Sequence, residues 1–203
     1  MPNEKRMQYS VLPPRMPALA QDQMNAAQKQ AVADMLAGPR GKVDGPYWAI
    51  MRSPGLSAAM QKTGEYFRFH CQLDKRYTEL AILLTARSWT QQYIWDFHAA
   101  VAVKAGVKSS SVDAIAEARR PLDLTDDEAV LYDFVAELLA NRSVSDATYS
   151  RALSLLGETG LMDILGVVGY YSMLATVLNV ARVPLENDRP LPLTPMPAQL
   201  RHG

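Results

Sequence analysis

Two side chains in this sequence are of the types and spacing that move protons: the carboxylate of Glu79 and the imidazole of His98, at the two ends of ELAILLTARSWTQQYIWDFH. A carboxylate set among apolar residues needs a partner, and an imidazole titrating near neutral pH is the commonest general acid or base. The residues between them decide whether the two can meet. From Tyr77 to Ala86 the chain is apolar almost all round, which predicts a helix buried on most sides, with Glu79 sharing a face with Ile82, Leu83 and Ala86. After a break at Arg87 and Ser88, Gln91, Ile94, His98, Val101 and Ala105 recur at steps of three and four, so His98 lies on the apolar stripe of a second helix. If the two helices pack antiparallel, Glu79 and His98 come together.

Each residue also has a purely structural role open to it. Glu79 can pair with Lys75 or Arg76 one turn earlier, and His98 can be a hydrogen-bonded core histidine. Gln91 fits the third position of a capping box begun by Ser88. Trp89, Tyr93 and Trp95 fit core or interface positions, although aromatic residues beside a charged pair also line small-molecule pockets. Among them Tyr93 brings a hydroxyl.

Composition narrows the classes of function. The 203 residues allow one full-sized core, and 21 basic against 21 acidic residues give no electrostatic footprint for a nucleic acid. A single cysteine, Cys71, excludes an internal disulfide, a CxxC pair and a cysteine-rich zinc site, and suits a reducing cytoplasm. The three histidines, His70, His98 and His202, include no pair at helical ligand spacing, so no metal is expected. Neither a nucleophile elbow nor a phosphate or dinucleotide loop is found, which makes cofactor-free chemistry the expectation. The N-terminus has no secretory apolar region, and the charge-free run Ile164 to Val180 is short for a membrane span and reads as a buried bundle helix.

Prolines divide the chain. Four of thirteen fall in the first seventeen residues and five between Pro184 and Pro197, so residues 1–21 and 183–203 read as extended arms around a single helical domain at 22–182. Within it the pattern is helical, with no period-2 strand: about Asp22–Leu36, Tyr47–Met51, Gly55–His70, the two central helices, Ser110–Arg119, a helix from Thr125 to about Ala140, Asp146–Leu156 and Leu161–Ala181. Asp74 is the expected N-cap of the first central helix, Gly106 the stop of the second, and Thr125-Asp-Asp-Glu128 a capping box. Apolar residues on more than one helix face, with two arms suited to wrapping a neighbour, predict a homo-oligomer.

From about Gly41 onward, the succession GPYWAIMRSPGLSAAMQ, LDKRYTELAILLTARSW, TQQYIWDFHAAVAVKAGV, LTDDEAVLYDFVAELL and LMDILGVVGYYSMLATVLNV resembles the carboxymuconolactone decarboxylase family. The resemblance implies an all-α, alkylhydroperoxidase D-like helical bundle that forms homo-oligomers. The redox branch of that family carries Glu-x11-Cys-x2-Cys-x3-His. Here Glu79 and His98 match its acid and base, while Gln91 and Ile94 stand at the two thiol positions. Neither side chain can replace a thiolate nucleophile, so peroxidase chemistry by the family route is disfavoured. Cys71 precedes the central helix and has no resolving partner in the sequence.

The resemblance and the residues together imply a cofactor-free lyase that decarboxylates a small lactone or organic acid. His98, supported by Glu79 and assisted by Tyr93, would supply the proton. Arg76 would grip a carboxylate, and Gln91 and Trp95 would contact the substrate. A cofactor-free isomerase or hydrolase, a peroxidase using Cys71, and a non-catalytic oligomeric scaffold are the alternatives.

Overall fold

The computed structural model describes residues 13–185 and 190–194, and among these every regular element is helical. The parts of the two arms at 1–12, 186–189 and 195–203, with His202 among them, lie outside the described residues. The chain forms two compact units, one from residues 1–71 with 173–188, the other from 72–172 with 189–203.

In the first unit, α1 (Ala26–Ala37), α2 (Pro46–Ile50) and α3 (Pro54–Glu65) pack with α3 as the common neighbour, burying Met35, Tyr47, Met51 and Met60. The first helix starts later than the expected Asp22, after a short turn at Gln21–Gln23, because Asn25 caps it. The Asn25 side chain accepts from Gln28 N at 2.9 Å and the Gln28 side chain accepts from Asn25 N at 3.0 Å, a reciprocal box that fixes the start. Likewise α3 stops at Glu65 instead of reaching His70, and Tyr66–His70 widens into a π-helical turn. Residues 13–20, the described part of the proline-rich N-terminal arm, are non-helical, as their composition implies. Arg15 N donates to Ala181 O at 2.8 Å and Arg52 Nη2 to Pro17 O at 2.9 Å.

The second unit is built on α4 (Lys75–Ser88), which packs most extensively against α5 (Gln92–Lys104) and α7 (Asp126–Asn141), and also against α6 (Ser109–Ala116). Every residue from Thr78 to Arg87 is buried, which is what an all-round apolar helix requires. Asp74 caps α4 by accepting from Arg76 N at 2.8 Å. Three residues then reverse the chain, with Thr90 in the left-handed region at φ 47° and Gln91 N bonded back to Ala86 O at 2.8 Å. This makes α4 and α5 an antiparallel hairpin. At its far end Gly106 takes φ 106°, ending α5 where the sequence places a stop, and Thr125 with Glu128 forms the expected box ahead of α7.

The last helix, α8 (Asp146–Ala181), is helical throughout except at Gly157, whose φ 67° and ψ 174° break it where the sequence separates two helices. By length and composition alone, α8 is long and apolar enough to cross a membrane. Its residues Ile164, Val167, Ala175 and Leu178 are nevertheless fully buried in protein.

Candidate active site

Antiparallel packing within the second unit places Glu79, one turn into α4, beside His98, midway along α5. Glu79 Oε2 lies 2.6 Å from His98 Nδ1, within a short charge-assisted hydrogen bond. Lys75 Nζ, one turn back on α4, lies 2.9 Å from Oε1. That contact compensates charge without meeting hydrogen-bonding geometry, so Oε1 is buried with no hydrogen-bond donor. Burial, the largest single influence, pushes the Glu79 carboxyl up. The hydrogen bond and charge of His98, then the charge of Lys75, outweigh it and hold the carboxyl below its ordinary value. Glu79 is therefore an ionised acceptor, and the proton between the pair belongs to Nδ1.

That assignment fixes the tautomer. With Nδ1–H donated to Glu79, Nε2 is the nitrogen left for exchange with a ligand or water, and it has no hydrogen-bond partner among the described residues. Exposure follows the same division of labour: the His98 side chain keeps 10% of its surface exposed and that of Glu79 only 1%. The imidazole keeps a little solvent contact and the carboxylate beside it almost none. The ring is held on two sides by edge contacts, from Phe97 at 5.0 Å and from Tyr171 of α8 at 5.1 Å between centroids.

The other residues singled out in the sequence are distributed unequally. Trp95 and Ile94 are buried and lie three and four residues before His98, on its face of α5. Tyr93 is half-buried and five residues away, about 140° around the helix, so Tyr171 is the tyrosine brought to the imidazole. Gln91 corrects one expectation, since it is itself the N-cap of α5 and not the third position of a box begun by Ser88. Its side-chain oxygen accepts from Tyr93 N at 2.6 Å and Ile94 N at 3.2 Å. The reason is that α4 runs through Ser88, and the reversal at Thr90 leaves Gln91 as the first extended residue before α5.

Arg76 is corrected as a partner of Glu79, which is paired by Lys75 instead. The Arg76 guanidinium is 3.2 Å from Asp74, 3.2 Å from Asp127 and 3.6 Å from Glu128. Tyr77 joins this cluster by donating to Asp127 at 2.5 Å, which ties α4 to the first turn of α7. The arginine is thus a cross-brace between helices whose charge is already matched. Lys75 was legible as a helical neighbour of Glu79. Tyr171 was not, because it reaches the ring only through the return of α8.

Comparison with known proteins bears on the family and the fold. Residues 54–137 match the carboxymuconolactone decarboxylase family. The matched segment runs from the start of α3 into α7 and contains both Glu79 and His98. No curated protein matches in sequence. Among solved structures the chain is similar to the debrominase Bmp8, a cysteine-to-alanine variant in complex with 2,3,4-tribromopyrrole, with a TM-score of 0.63 and 11% identity over 85% of this chain and 91% of that one. At that identity the likeness establishes the fold. The chain is an all-α protein of the carboxymuconolactone decarboxylase fold, and the family and its neighbour support an enzyme. By the spacing that the resemblance implies, Gln91 and Ile94 stand where the redox branch of that family carries its two thiols.

Proposed function

We propose that the protein is a cofactor-free acid–base lyase that decarboxylates a small lactone or organic acid. The observation that carries this reading is the buried Glu79 carboxylate 2.6 Å from His98 Nδ1, with Nε2 left as the working nitrogen. In such a reaction the C–C bond to the carboxylate breaks, CO2 leaves, and the electron pair enters a carbonyl conjugated with that carbon. The resulting enolate carbon then takes a proton. His98, protonated at both nitrogens, gives the Nε2 proton to that carbon and is left neutral with Nδ1–H on Glu79. Water restores the proton.

The ionised carboxylate stabilises the imidazolium before transfer and keeps the ring oriented through it, as a fixed negative partner does in other acid–base sites. The apolar side chains of Ile94 and Trp95 on the same face of α5 suit a step that removes charge from the carboxylate. Tyr93, on another side of α5, serves in this reading as a supporting group and not as the orienting partner. We also assign the protein to the cytoplasm and to a homo-oligomer, the second supported by exposed Phe69, Leu122 and Met162.

The test is a screen of lactones and small carboxylic acids for CO2 release. Turnover that falls roughly 100- to 10,000-fold in both His98→Ala and Glu79→Gln supports the reading. Robust peroxide reduction lost in Cys71→Ser would replace it with thiol chemistry.

A further inference from the structure

Arg87, in the last turn of α4, carries a charge that the acid–base pair does not use. The residue is only 4% exposed. Its Nη1 donates to the Thr194 carbonyl at 2.8 Å, whereas Nε is buried with no acceptor among the described residues. Burial pushes its pKa below the usual arginine range, and among the described residues no acidic group counters that push. Arg76, three turns earlier on the same helix, meets three carboxylates. A buried cation without a counter-charge is costly, and cations in protein interiors are ordinarily paired.

The segment beside Arg87 covers it without neutralising it. Gln92 Nε2 donates to Leu193 O at 2.8 Å and Leu193 N donates to Gln92 Oε1 at 2.9 Å, so residues 190–194 are strapped across the α4–α5 turn, with Leu193 buried. The Thr194 carbonyl satisfies one guanidinium nitrogen and brings no charge. The opposite edge, Nε with Nη2, has no protein acceptor among the described residues. That edge is a planar two-donor fork of the shape a carboxylate fills with two parallel hydrogen bonds.

We propose that Arg87 is a carboxylate-binding residue, whose Nε–Nη2 edge takes the carboxylate of a small organic acid while the Thr194 carbonyl holds Nη1. Eight residues along α4 set Arg87 about 12 Å beyond Glu79 and about 80° further round, on the same side of the helix. A carboxylate bound there is stabilised in its charged form, which opposes its own loss as CO2. The group on Arg87 is therefore an anchor. The assignment of the anchored molecule as substrate rests on the lyase reading; the binding site does not.

Calorimetric titration of the full chain with hexanoate, and with hexanamide as its uncharged counterpart, tests the site. Hexanoate should bind wild type at millimolar concentration, and hexanamide at least tenfold more weakly. Arg87→Met should weaken hexanoate at least tenfold, about 1.4 kcal/mol, while His98→Ala leaves it within about twofold. Arg87→Lys, which keeps the charge and loses the fork, should fall between, and it decides the matter if Arg87→Met does not fold. Equal affinity for acid and amide, no hexanoate binding below about 50 mM, or unchanged binding in either folded Arg87 variant would overturn the proposal. Binding lost in Arg87→Met alongside CO2 release untouched by His98→Ala would leave the anchor standing and remove the lyase reading.

Discussion

Replacing Glu79 with Gln keeps the shape of the side chain and removes only its charge, so the consequence can be worked from the two contacts it makes. At Oε2 the bond to His98 Nδ1 changes from a charge-assisted one, of about 1.5–3 kcal/mol, to a neutral one of about 1 kcal/mol. At Oε1 the ion pair with the half-exposed Lys75 disappears, a further loss of about 0.2–1 kcal/mol. The sum is about 1–3 kcal/mol, below the roughly 3–5 kcal/mol of an outright broken buried pair, because the amide oxygen still accepts from Nδ1. In a chain of 203 residues this corresponds to a fall in Tm of about 2–12 °C.

The pH dependence has a definite sign. The Glu79 carboxyl is held below its ordinary 4.5 in the folded protein, so its contribution is complete above that value and is lost as pH falls through the depressed one. Urea unfolding of wild type and Glu79→Gln at pH 7, 5, 4 and 3 should therefore show a stability gap that narrows on acidification. A gap below about 0.5 kcal/mol at pH 7, where about 1–3 is expected, or one that widens toward pH 3, would refute the reasoning that the carboxylate is an ionised, charge-compensated partner.

Gly157→Ala should cost about 1–3 kcal/mol in urea unfolding purely through the backbone, since φ 67° with ψ 174° is a region reserved for glycine and a Cβ there meets no atom within 4 Å; a cost below about 0.5 would show that the chain relaxes into continuous helix. With Gln91 and Ile94 at the thiol positions, peroxide consumption should stay at background and Cys71→Ser should leave CO2 release within about twofold, measured side by side. Sedimentation at micromolar concentration should give a mass above the 22.5 kDa of one chain, and a monomer alone would remove the oligomer assignment.

The parts of the molecule that were legible in the sequence are those decided by local pattern. An apolar surround on α4 and a three-and-four rhythm on α5 were enough to bring Glu79 to His98, and Asp74, Gly106 and the Thr125–Glu128 box mark helix ends through local hydrogen bonds and backbone preferences. The break at Gly157 falls in the gap between the helices expected at Asp146–Leu156 and Leu161–Ala181. What escaped was set by competition or by distance. Asn25 overrode the apparent start at Asp22 because its reciprocal box with Gln28 satisfies two backbone groups at once. Gln91 could cap α5 only once the turn at Thr90 had fixed the length of α4. Arg76 lay within helical reach of Glu79 but found three acids, two of them on α7. Tyr171 and the Thr194 carbonyl belong to segments far along the chain, and no periodicity announces that they return to His98 and Arg87.

The account rests on His98 as the group that delivers the proton, and the most direct measurement is CO2 release by wild type and His98→Ala on the best substrate from the screen. The expected result is a kcat lower by roughly 100- to 10,000-fold with KM little changed, in a variant whose circular dichroism shows it folded. Decarboxylation that proceeds in folded His98→Ala at the wild-type rate would contradict the claim.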